Sequence, residues 1–96
     1  MDFTFDTFRP HLNTKFVLPF QDIDDWELTL TEVTKLPEHE ESPRPPFSLI
    51  FHAPNKEQYL NQNTYVLKHD ALGDVAIFLT AVGPTDTGMN YEAIFG

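Results

Sequence analysis

The chain contains no cysteine in its 96 residues, which excludes a disulfide framework and any thiolate metal site and leaves stability to packing and hydrogen bonds. Glycine is scarce: the four residues at 73, 83, 88 and 96 are too scattered to form a phosphate-cradling loop. Serine is scarcer still. Ser42 and Ser48 are the only two, and neither sits in a GxSxG elbow of the kind that exposes a nucleophile. Six basic residues face fifteen acidic ones, and the resulting net charge of −9 repels phosphate backbones, so direct nucleic-acid binding is not expected. No apolar run approaches the length of a membrane span, and the start, MDFTFDTFRPHL, lacks the basic and apolar regions of a signal peptide. A cytoplasmic location, away from any membrane, is the expectation.

Aromatic residues, by contrast, are plentiful. Nine Phe, three Tyr and one Trp spread along the chain supply one modest core, and the length fits a single domain over residues 1–96. Strand patterns dominate. Lys15 to Phe20 reads as a strand; Asp25 to Leu36 follows, with Trp26, Leu28 and Leu30 alternating against Glu27, Thr29 and Thr31. The alternation slips a phase at Val33, which predicts a bulge near Thr31 and Glu32 or a change of partner. Residues 47–53, ended by Pro54, are a third strand, and 64–69 and 75–82 are two more, joined by a turn over 70–73. A hairpin loop over 83–90 leads to a last strand at 91–95. The four prolines between residues 37 and 46 predict a mobile loop rich in Pro and Glu. Phe8 and Leu12 at i, i+4 spacing predict a short N-terminal helical turn, with Asp6 as its cap, plugging one end of the fold. The expected fold is all-β: a small barrel or two-sheet sandwich of five to seven mainly antiparallel strands.

Chemistry-bearing residues form no pattern with catalytic spacing. His11, His39, His52 and His69 have no helical spacing and no cysteine to join them, so they read as ordinary histidines. If residues 47–53 pair with 64–69, His52 faces Tyr65 and not His69. The string DIDDWE brings Asp22, Asp24, Asp25 and Glu27 together, but the calcium-loop pattern fails at its sixth position, Glu27, and its twelfth, Val33. No metal, cofactor or catalytic residue is therefore assigned. Pro43 and Pro46 stand at PxxP spacing with Arg44 between them, a weak match to polyproline II ligands.

The most informative feature is a second apolar face. Ile50, Val66, Phe78, Val82 and Ile94 lie opposite the core set Leu49, Leu67, Ile77, Leu79 and Phe95. A barrel has one inside, so these residues require cover from the N-terminal Phe residues, a second sheet or another protein, with internal cover the simpler expectation. Three functions follow. The leading one is a non-enzymatic protein–protein interaction or assembly module, whose partner is another copy or another protein. The alternative is an acidic inhibitor that mimics nucleic acid through a stripe of Asp22, Asp24, Asp25, Glu38, Glu40 and Glu41. The third is a small hydrolase or carbohydrate-binding barrel with a pocket at Trp26, Tyr65 or Tyr91.

The strings FRPHLNTKF, WELTLTEV, PFSLIF, TYVLKH, ALG and YEAIF resemble, over most of the chain, a small bacterial β-domain family of unknown function. That resemblance maps onto Phe8, Phe16, Leu28, Phe47, Phe51, Tyr65, His69, Gly73, Phe78, Tyr91 and Phe95, mostly core or turn positions. It implies no catalytic residues, and it implies an assembly or accessory role beside phage-tail-like collar or fibre proteins. Where relatives carry Gly before Thr64 and near Asn13, this chain has Asn63 and Asn13, and Asn tolerates a left-handed backbone better than most residues.

Overall fold

The computed structural model describes residues 3–19, 25–37 and 45–95. Six strands, β1 (Lys15–Leu18), β2 (Trp26–Lys35), β3 (Phe47–Ala53), β4 (Asn63–His69), β5 (Gly73–Pro84) and β6 (Met89–Phe95), follow a short helix α1 (Phe5–Phe8) and a 3-10 turn (Arg9–His11). All pairings are antiparallel, and the sheet closes on itself in the order β1-β2-β3-β6-β5-β4. The fold is therefore a closed barrel and not a sandwich. Val17 opposite Lys68 is the register pair that joins β1 to β4.

Alternation decides which residues go inside. Phe16, Leu28, Leu30, Leu49, Phe51, Leu67, Val75, Ile77, Leu79 and Tyr91 are all fully buried. The predicted phase slip in β2 is a bulge: the register with β3 shifts between Leu30 and Glu32, so Val33 returns to the inner face opposite Leu49. A second bulge between Ala81 and Gly83 lets β5 and β6 stay paired as far as Pro84 and Met89. The hairpin loop is consequently residues 85–88, shorter than the 83–90 expected, because Pro84 occupies the terminal pair, where a missing donor costs little. Gly88 is needed there for space: a Cβ would sit 1.9 Å from the carbonyl oxygen of Ala53. Strands β3 and β4 are not neighbours. β2 and β6 take both edges of β3 while β1 and β5 take those of β4, so the conditional pairing of His52 with Tyr65 does not occur.

The two ends of the barrel are closed by different means. At one end α1 is a plug. Phe8 is 0% exposed, with ring centroids of Phe3, Phe16, Phe47 and Phe95 at 5.6, 6.5, 5.9 and 5.6 Å. The helix is capped by Thr4 and not by Asp6. Thr4 has extended backbone and its Oγ1 accepts the Thr7 N–H at 3.3 Å, while Thr7 Oγ1 accepts the Thr4 N–H at 3.0 Å. Asp6 lies two positions past the cap, inside the first turn, though its charge there suits the helix dipole. Asn13, in the turn that enters β1, has φ of 65°, the left-handed conformation expected of a glycine substitute.

At the other end the β3–β4 connection folds across the mouth. Leu60 is 7% exposed, and its backbone N–H donates to the hydroxyl of buried Tyr91 at 2.8 Å. Among the described residues no helix is long and apolar enough to cross a membrane.

Candidate functional site

Outside the core, two surfaces and one histidine pair stand out among the described residues. The first surface is the outer wall formed by β4, β5 and β6. Val66, Phe78, Val82 and Ile94 are 49%, 50%, 50% and 64% exposed, and Ile50 is half-buried. The expectation of internal cover fails, because the N-terminal Phe residues go into the barrel end and not over this wall. Register joins three of these residues. Thr64 lies opposite Phe78, which puts Val66 on its diagonal, and the β5–β6 register continued from Thr80 and Glu92 sets Phe78 against Ile94. Phe78 is thus a wall residue, on the second apolar face where the alternation put it.

The second surface is the rim of the mouth under residues 54–62. Here Asn55 Oδ1 accepts the N–H groups of Glu57 and Gln58 at 3.0 and 2.9 Å, and the Tyr65 hydroxyl donates to the Asn61 carbonyl. Pinned at Asn55, Leu60 and Asn61, the loop holds Tyr59 outward, 63% exposed. Two shallow hollows meet at Trp26. One, about 450 Å³, is lined by Glu57, Gln58, Tyr59 and Tyr65 beside it, and the other, about 290 Å³, by Asp25, Glu27, Pro54 and Asn55. Of the three rings expected to line a pocket, Trp26 and Tyr65 do so. Tyr91 does not: it is fully buried, and burial pushes its phenol pKa up. Sequence reading passed over Tyr59, since residues 55–63 have no periodicity.

Among the described histidines, His11 and His69 form a pair. His11 and His69 stack edge-on at 4.7 Å, and Phe16 covers His69 at 4.4 Å. His69 Nδ1 accepts the N–H groups of Ala71 and Leu72 at 3.0 and 3.1 Å, closing the β4–β5 turn. With Nδ1 committed as an acceptor, the proton of the neutral ring is on Nε2, which donates to Thr14 Oγ1 at 3.0 Å; that hydroxyl donates in turn to the His11 carbonyl at 2.6 Å. Burial first, and His11 second, hold the His69 pKa below the ordinary histidine value, with Asp70 opposing. His69 is a structural pin. His52 pairs instead with Thr87 Oγ1 at 2.9 Å.

Among the described residues no three His, Asp or Glu side chains gather as a metal site. Ser48, at register positions opposite Thr34 and Ile94, has no histidine beside it in either pairing. Asp22, Asp24, His39, Ser42, Pro43 and Arg44 lie outside the described residues, as do Glu38, Glu40 and Glu41, so of the acidic stripe only Asp25 is placed.

The model of a domain of unknown function, DUF6916, matches residues 3–95, and the chain belongs to that family. No curated protein and no solved structure matches it.

Proposed function

We propose that this DUF6916 domain is a non-enzymatic protein–protein interaction or assembly module acting in the cytoplasm. The observation that carries the reading is the uncovered wall of Val66, Phe78 and Ile94, three large apolar side chains at least 49% exposed on adjacent strands. A contiguous patch of that kind on a small acidic chain marks a contact surface, because leaving it in water forgoes the free energy that burial would release. A stable interface needs roughly 800 Å² from each partner, so the contact extends past these three side chains onto the polar rows beside them. The sequence resemblance supports an assembly or accessory role beside bacterial phage-tail-like collar or fibre proteins.

Substitution of Phe78 by Glu tests the reading. Because the side chain is half in solvent, folding stability is expected to change by about 0.5 kcal/mol or less, while association is lost. Light scattering across a range of concentrations, together with pull-down of the products of adjacent genes, reads the association. A wild-type chain that stays monomeric and retains none of those products would remove the proposal.

A further inference from the structure

The rim of the mouth has the composition of a peptide groove. Its two hollows share Trp26, and Tyr59 and Tyr65 flank one of them while Pro54 borders the other. Among the described residues neither hollow is lined by a Lys or Arg, whereas Asp25, Glu27 and Glu57 all belong to them. Glu27 has a neighbouring cation, Lys15, at 2.9 Å, but both side chains are more than half exposed and such a pair is weak. The charged residues among the described lining are all acidic, in keeping with the net charge of −9 of the whole chain. An anionic ligand is therefore disfavoured.

Resting on the reading of the domain as an interaction module, we infer that this groove binds an extended, proline-rich segment of a partner that also carries an arginine. A polyproline II segment repeats every three residues, about 9 Å, and presents ring faces on successive turns. Aromatic-lined grooves take such segments because little chain entropy remains to be lost. The arginine supplies the complement to Glu57 and can lie over the exposed Tyr59 ring. The pinned loop contributes preorganisation, since Asn55 and Tyr91 fix its backbone before any ligand arrives.

The chain has one tryptophan, so its fluorescence reports on the groove alone. The probe is a synthetic peptide carrying Ser-Pro-Arg-Pro-Pro, the sequence of residues 42 to 46, flanked by neutral residues. Saturable change in Trp26 emission is expected, weakened about tenfold or more by Tyr59→Ala, the size of effect seen on truncating an aromatic anchor. Replacing the peptide's Arg by Glu is expected to abolish binding, and added salt to weaken it. Circular dichroism of Tyr59→Ala checks that the fold persists, and Tyr65→Phe, which keeps the ring, is expected to bind. No saturable response at millimolar peptide, binding indifferent to the Arg, or saturable binding to neutral oligosaccharides in place of the peptide would each overturn the assignment. Phe78→Glu separates the two proposals. Peptide binding that survives this substitution supports the groove even if partner association is lost, and association that survives Tyr59→Ala while peptide never binds leaves the module reading standing without the groove.

Discussion

At the plugged end of the barrel, Phe8 is fully buried against four other phenylalanine rings. At the mouth, hydrogen bonds at Asn55, Leu60 and Asn61 hold a loop that leaves Tyr59 at the surface. The plug is additionally clasped from outside, where Lys35 and Arg9 approach the Phe5 ring at 5.0 and 5.9 Å. The contrast divides two tasks. Apolar closure by phenylalanine maximises buried area but offers a ligand nothing to recognise. Closure by a hydrogen-bonded loop secures less area and leaves Trp26, Tyr59 and Tyr65 with accessible ring surface beside carboxylates and amides.

If that division is right, removing the plug ring should be the most damaging single change. Phe8→Ala is expected to cost about 3–5 kcal/mol, from lost transfer energy and from a cavity that four neighbouring rings cannot easily fill. Leu60→Ala, at the other end, should cost less. Urea denaturation of the two variants ranks them, and a larger loss for Leu60→Ala would reverse the comparison.

A smaller effect is expected from Tyr91→Phe. The ring stays in the core, but the Leu60 N–H loses its acceptor in a buried position, worth about 1–3 kcal/mol. The damage should stay local, since α1 and the Phe cluster lie at the opposite end. Hydrogen exchange should show faster exchange of the Leu60 amide with protection near Phe8 unchanged; equal loss at both ends would mean that the two closures fold as one unit.

Much of this architecture is legible before any coordinates. Leu28 and Leu30, then Leu49 and Phe51, alternate cleanly enough to place strands, and the slip at Val33 announces the bulge because side chains on a strand have a period of two. Barrel closure is not legible, since it depends on β1 reaching β4 across the intervening β2, β3 and their connections, and no local pattern encodes that pairing. The second apolar face is visible in the sequence, but its exposure is not: that depends on α1 entering the barrel end and leaving the wall uncovered. Tyr59 is invisible for a different reason. Its position follows from single-residue anchors, the Asn55 side chain and the Leu60 N–H, which contribute no periodic signal. The cap at Thr4 was hidden by Asp6 two residues later, an equally good capping type whose position only backbone geometry rules out.

The smallest expected effect concerns acidity, and it belongs to the plugged end, where His69 joins the β4–β5 turn to Thr14 and so to the segment entering β1. Protonation at Nδ1 would displace the Ala71 and Leu72 N–H groups that point at it, and would place a second positive charge beside His11 if that ring is also protonated. The folded pKa lies below the unfolded value of about 6.5, so the unfolded chain takes up this proton first. The contribution to stability is thus intact above the unfolded pKa and falls as pH drops from there towards the folded value, then levels off. His69→Asn isolates it. The Asn side chain can accept the same two N–H groups, since Asx turns use that geometry, but it does not titrate. Stability of the variant should therefore be less dependent on pH than wild type as pH falls through and below about 6.5, with melting temperatures in the two backgrounds converging towards the acid side. Parallel curves for the two proteins across that window would show that His69 is not the titrating pin, and the turn would then have to be held by its backbone alone.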